Sequence, residues 1–157
     1  MGTQKEQVNR APESHSEEVR MVLVNAQALA LSSNSNIGVG HIFTAVIMQM
    51  NTLEIINVLG QNGISLSRLT ENLWYVKFDS EVIQEDQEIR LTSRTKDALR
   101  SVAETARHRK TSQVEPSDLL VGIAKYAEAT RRKVDAQIER WEKEVEPFLI
   151  RKQLIRK

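Results

Sequence analysis

The side chains that could do chemistry in this chain are few, and the most conspicuous sit in "SSNSNIGVGHIFTAV", residues 32–46. Gly38, Val39 and Gly40 lead into an apolar stretch, and a Gly-x-Gly turn opening a helix is one way to hold a phosphate. That chemistry needs a preceding strand, a third glycine and usually a lysine. Here a helical pattern precedes the turn and the other parts are missing, so the glycines are read as a tight inter-helix loop whose backbone turns sharply. His41 begins the following helix with no second histidine nearby, while His15 and His108 are isolated. A metal needs convergent ligands, so no metal is expected and His41 is read as a capping or packing residue. No serine, histidine and aspartate fall at a catalytic spacing, and the carboxylates are scattered as solvation alone would place them. No catalytic residue and no cofactor are expected, and the protein is read as non-enzymatic.

Composition narrows the partners. The 157 residues carry 22 basic and 21 acidic side chains, for a net charge of +1, so no overall field draws the chain to nucleic acid or a membrane. Two basic clusters, "ARHRKTSQ" at 106–113 and "TRRKVDAQIER" at 130–140, read as solvated helix ends. There are no cysteines, which removes disulfides and thiolate chemistry and fits a reducing, cytoplasmic setting. No apolar run approaches the roughly 20 residues of a membrane span. The N-terminus "MGTQKEQVNRAPESH" is polar, without the apolar core of a secretion signal, and Glu6 spoils a myristoylation pattern.

The positioning elements are helices. Ser16 caps the first, which carries Val19, Val22, Leu23, Ala26, Leu29 and Ala30 at helical spacing. A second, at about 40–50, is apolar on most sides, as expected of a central bundle helix. Thr52 is expected to cap a third, which Gly60 and Gly63 close, and Ser65 starts a fourth. Residues 74–89 read as extended, a hairpin or an exposed linker. The pattern then restarts: Thr95, Ala98, Leu99, Val102 and Ala106 lie 76 positions after Val19, Val22, Leu23, Ala26 and Ala30. At an offset of 77, Val114, Leu119, Leu120, Gly122 and Ile123 answer Ile37, Ile42, Phe43, Ala45 and Val46. Such a repeat implies two stacked copies of one unit. After Tyr126 the second copy becomes one long charged helix with Val134, Ile138, Trp141 and Val145 on one face, and Pro147 is expected to end or kink it. Trp141 could anchor a partner, but packing onto the domain is the preferred reading.

This duplicated helix pair resembles the N-terminal domain of the Clp AAA+ unfoldases of the ClpA, ClpB and ClpC type. "SEEVRMVLVNAQALA" and "TSRTKDALRSVAETAR" resemble its repeated first helix. "NIGVGHIFTAVI" and "VEPSDLLVGIAK" resemble its loop and second helix, and "EIINVLGQNGISLSRLTENL" resembles the segment that follows. The likeness covers roughly residues 15 to 126. It implies an all-helical domain that recruits polypeptide substrates or adaptors to an ATPase and protease ring. No G-x-x-x-x-G-K-[ST] loop is present, so the chain looks like a free-standing relative, similar in kind to the small accessory proteins of chloroplast Clp complexes. The family's loop usually reads Gly-Thr-Glu-His, with a glutamate that can engage phosphorylated arginine. Gly40 and Ser117 stand at those glutamate positions, His41 is kept in the first copy and Asp118 replaces it in the second.

The expected architecture is all-α: two pseudo-symmetric helical repeats forming one compact bundle, with an extended C-terminal helix. Residues 1–14 would be a flexible tail, 15–146 the double-repeat domain, and 147–157 a basic C-terminal tail. Repeat one would span about 15–73, the linker 74–90 and repeat two about 91–146. The expected function is non-covalent binding of polypeptide substrates, adaptors or Clp ATPase and protease subunits, with Val39, Gly40, His41, Ser117 and Asp118 as candidate contact residues. The alternatives are a helical nucleic-acid regulator using Arg131, Arg132 and Lys133, and a self-associating structural remnant.

Overall fold

The computed structural model of the protein describes residues 14–76, 88–111 and 113–153. Within them the chain runs β1 (Ser14–His15), α1 (Glu17–Ser32), α2 (Val39–Gln49), α3 (Thr52–Gln61), α4 (Leu66–Leu73), α5 (Ser93–His108), β2 (Gln113–Val114) and α6 (Pro116–Arg140). A π-helical turn (Trp141–Val145) and a short α7 (Glu146–Arg151) follow. The tail reading of residues 1–13 and most of the 74–90 linker lie outside the described residues. Among the described residues no single helix is long and apolar enough to cross a membrane.

Helix starts follow local chemistry. The Ser16 hydroxyl accepts from the Val19 amide at 3.1 Å, and Thr92 does the same for Thr95 at 3.1 Å. Ser65 caps α4 through the Arg68 amide at 3.2 Å. The cap of α3 is Asn51 rather than Thr52: its side chain accepts from the Glu54 amide at 2.8 Å, and Thr52 is already inside the helix. Asparagine is among the strongest caps and Thr ranks below it.

The duplication is visible in burial. In α1 the residues Val19, Val22, Ala26 and Ala30 are buried; in α5 their counterparts Thr95, Ala98, Val102 and Ala106 are buried. Each repeat also reaches into the other. β1 pairs in parallel with β2, His15 opposite Val114, and a parallel bridge joins Ile37 to Leu91. The Ser16 amide donates to the Val114 carbonyl at 2.9 Å, and the Thr92 amide to the Ile37 carbonyl at 3.1 Å. So the residue ahead of each repeat's first helix docks on the other repeat's loop. Ser14, assigned above to the tail, belongs to this pairing.

The sharp turn between α1 and α2 is not made by the glycines. Gly38 is extended at φ −94° and caps α2, and Gly40 lies inside that helix. The left-handed residue is Asn34 at φ 50°, answered 76 positions later by Lys110 at φ 58°. Asparagine tolerates that conformation because its side chain can bond locally.

Helices α5 and α6 cross at close range. A Cβ on Gly122 would meet the Val102 Cα at 2.5 Å and the Val102 amide nitrogen at 2.7 Å. The corresponding positions in repeat one are Ala45 and Ala26, both fully buried. One crossing thus uses Ala with Ala and the other Val with Gly, so the side-chain volume is redistributed across the interface.

The repeats part company after their second helix. In repeat one the chain breaks at Met50, and α3 departs from α2 at 117°. In repeat two α6 runs on unbroken for 25 residues, and α4 packs against it through ion pairs of Arg68 with Glu128 and Arg131 with Glu71. Regular α6 ends at Arg140, and a π turn fills the turn ahead of Pro147, which falls in the first turn of α7. A proline there cannot donate to the carbonyl four residues back, so the helical ladder is irregular next to it, as expected. Trp141 is 45% exposed, so the preferred packing reading fails, because α6 has outrun the bundle by that point.

Candidate functional site

The two loops that lead into α2 and α6 are built alike, and their polar residues are occupied by the build. In repeat one the Gly38 amide donates to His41 Nδ1 at 3.0 Å. In repeat two the Glu115 amide donates to Asp118 Oδ2 at 2.9 Å. Both are the back-reaching half of a capping box, in which the third helical residue satisfies the cap's own N–H. An imidazole that accepts at Nδ1 carries its proton on Nε2 when neutral. That nitrogen lies 3.2 Å from the Ser33 hydroxyl, which completes a clasp from the end of α1 to the start of α2.

The second clasp is ionic. Arg109, at the position matching Ser33, donates from Nε to Asp118 Oδ1 at 2.9 Å and from Nη2 to Oδ2 at 2.6 Å. The Asp118 side chain is 1% exposed and that of Arg109 46%. The hydrogen bond to Asp118 raises the Arg109 guanidinium above its ordinary range, desolvation opposes this, and the charges of Asp118 and Glu115 add to the rise. A bidentate pair of this kind supplies a counter-charge to a carboxylate that is buried in its capping role.

These contacts sort the five candidate contact residues. Val39 is buried in the core, which removes it from any surface. His41 and Asp118 serve as caps and clasps, Asp118 out of reach of solvent. Gly40 is half-buried at the first turn of α2. Of the five, Ser117 lines the cleft between α3 and the start of α6, whose lining includes no residue of the α1–α2 loop.

The cleft has a volume of about 620 Å³ and lies where α3, turned back at Met50, passes the start of α6. Its apolar surface comes from Met50, Val58 and Pro116, and its charge from Glu18, Glu54 and Glu115. Repeat two has no counterpart of the bend at Met50, since α6 runs on unbroken, and the charge is inverted there: Arg94 stands at the position of Glu18 and donates to the Tyr75 carbonyl at 3.2 Å. Sequence reasoning missed the cleft because it depends on the bend at Met50. The glycine-free run after Tyr126, set against Gly60 and Gly63, was the one signal of such asymmetry.

A second asymmetry lies on the outer face of α1. Met21, Val24 and Leu31 are each at least half exposed, and with exposed Ala28 they form a single stripe at helical spacing. The matching residues of α5 are Asp97, Arg100, Arg107 and Glu104. On the same backbone one copy is apolar toward solvent and the other charged. Met21 lies one turn along α1 from Glu18 of the cleft.

Two of the three basic residues at 131–133, Arg131 and Arg132, are engaged with the protein itself. Arg131 donates to Asn72 at 3.0 Å and Glu71 at 3.2 Å and stacks 5.7 Å above the Tyr75 ring. Arg132 pairs with Glu128 at 3.1 Å. Cations so spent on intramolecular partners do not make a phosphate-binding stripe. No group of His, Cys, Asp or Glu that could hold a metal occurs among the described residues.

Comparison with known proteins points one way. The model of the Clp repeat (R) N-terminal domain family matches residues 14–137. No curated protein matches the chain.

Proposed function

The chain belongs to the Clp repeat N-terminal domain family, and on that premise we propose that it is a non-catalytic polypeptide-binding module of a Clp-type protein quality-control system. The reading covers the double-repeat domain, about residues 15–146. Its partners are polypeptide substrates, adaptors or the Clp ATPase and protease subunits, held reversibly. The observation that carries it is the apolar stripe on α1, exposed where the duplicate helix is charged. Core packing cannot be its reason, because α5 keeps the same buried set without it. Contiguous exposed apolar surface on a helix marks an interaction face.

The clasps that occupy His41 and Asp118, together with the absence of glutamate at positions 40 and 117, support recognition by surface complementarity rather than by the loop-glutamate chemistry of phosphoarginine readers. The test is capture of Clp subunits, or of an unfolded model substrate, by the purified full chain. The control variant carries Met21→Asp, Val24→Arg and Leu31→Arg, the residues that repeat two already tolerates in the same fold. The parent should capture and the variant should not. Capture of neither class by the parent, or equal capture by both proteins, would refute the proposal.

A further inference from the structure

We infer that the cleft between α3 and the start of α6 takes an extended polypeptide segment bearing an unmodified lysine or arginine, an assignment that rests on the polypeptide-binding reading above. The first ground is charge. Glu18, Glu54 and Glu115 line the cleft, and among the described residues no lysine, arginine or histidine does. Three helix N-termini, those of α1, α3 and α6, also border it, since Glu18 lies in the first turn of α1, and would favour an anion. Each is worth about half a positive charge, so together they offset about one and a half of the three carboxylates. A phosphorylated side chain would meet the remaining negative field, whereas an ammonium or guanidinium would be drawn in.

The second ground is shape and lining. A volume of about 620 Å³ is within the range of ligand clefts and holds a long cationic side chain with its flanking backbone. Met50, Val58 and Pro116 can cover the methylene stem. Gln49, Asn57 and Gln61 add amide groups able to pair with a peptide backbone. Gln49 itself donates to the Glu18 carbonyl at 2.8 Å, which ties the end of α2 to the start of α1 and holds this wall in place. Past Glu18 the surface continues onto Met21 and the α1 stripe, so apolar residues of the same segment have somewhere to lie.

The experiment uses the full chain and three short labelled peptides, identical except for a central arginine, citrulline or phosphoarginine, read by fluorescence anisotropy. At low salt arginine should bind about fivefold or more tightly than neutral citrulline, as expected for two or three partly exposed charge contacts. Phosphoarginine should bind weakest, and high salt should shrink the arginine preference. In the variant E18Q/E54Q arginine and citrulline should bind within about twofold of each other, with the melting temperature reporting an intact fold. Equal binding of arginine and citrulline, tightest binding of phosphoarginine, no binding of any peptide, or a preference that survives E18Q/E54Q would each overturn the assignment. Clp capture by the same preparation separates the two readings. Capture without the arginine preference removes the cleft assignment alone, and loss of capture removes the reading beneath it.

Discussion

Replacing Gly122 with alanine tests how α5 and α6 are held. In an open mid-helix position Gly→Ala stabilises by about 1 kcal/mol through helix propensity. Here the new Cβ would lie 2.5 Å from the Val102 Cα and 2.7 Å from both its amide nitrogen and its Cγ2. Two of those three atoms are backbone and cannot rotate away, so the helices must separate by about 1 Å to restore ordinary contact. Overpacking of this kind costs about 1–3 kcal/mol and more where backbone must move. The clash therefore outweighs propensity, and the net effect should be a loss of about 2 kcal/mol. For a chain of this size that lowers Tm by about 4–8 °C. Thermal melts by circular dichroism read it directly, and urea unfolding with an unchanged m value would assign it to stability. V102A/G122A should recover only part of the loss relative to V102A, since trimming valine removes one of the three short contacts. A Tm that rises in G122A, or complete rescue in the double variant, would refute the claim that backbone approach sets this crossing.

The same measurement on Gly60→Ala should give the opposite sign, a gain of up to about 1 kcal/mol, since nothing lies within 4 Å of a Cβ there. Arg109→Ala leaves the buried Asp118 carboxylate without its bidentate partner. The cost should be about 2 kcal/mol in urea unfolding, below that of a fully buried pair because Arg109 is half exposed. Because pairing raises the Arg109 pKa, its contribution is complete below the unfolded value and lost only as pH climbs through the still higher folded one. This residue's share of stability should therefore be flat from pH 6 to about pH 10. His41→Ala should cost about 1 kcal/mol through the lost cap, and His41→Asp, the residue of the second repeat, should restore most of it. Substituting Arg131, Arg132 and Lys133 with alanine should lower Tm without changing the mobility of duplex DNA in a gel, because Arg131 and Arg132 are bonded within the protein; a salt-sensitive shift lost in that variant would support the nucleic-acid reading.

The sequence makes legible what is decided within a turn or two of chain. Ser16, Thr92 and Ser65 are caps because their hydroxyls meet amides three residues on, and the repeat is legible because matching core positions need matching residue types. His41 reads correctly as a cap for the same reason. The failures involve contacts distant along the chain or choices between near-equals. Asn51 outcompetes its neighbour Thr52 for one amide. Asn34 and Lys110 make the turns that Gly38 and Gly40 advertise, because the glycines are taken up in starting α2. Trp141 has the spacing of a packed residue, yet α6 has left the bundle before reaching it. Of the five candidate contacts only Ser117 meets the cleft, whose other wall arrives from α3 more than fifty residues earlier.

The crossed pairing of His15 with Val114 and Leu91 with Ile37 bears on how the two halves depend on each other. A single repeat cut free would present a leading segment with nothing to dock on and a loop with nothing docked, the signature of a strand-exchanged dimer. Two such fragments could trade segments and recreate each pairing of the intact chain. What covalent continuity adds is then effective concentration: it turns a bimolecular exchange into an intramolecular closure, and makes the two differently surfaced halves obligate companions.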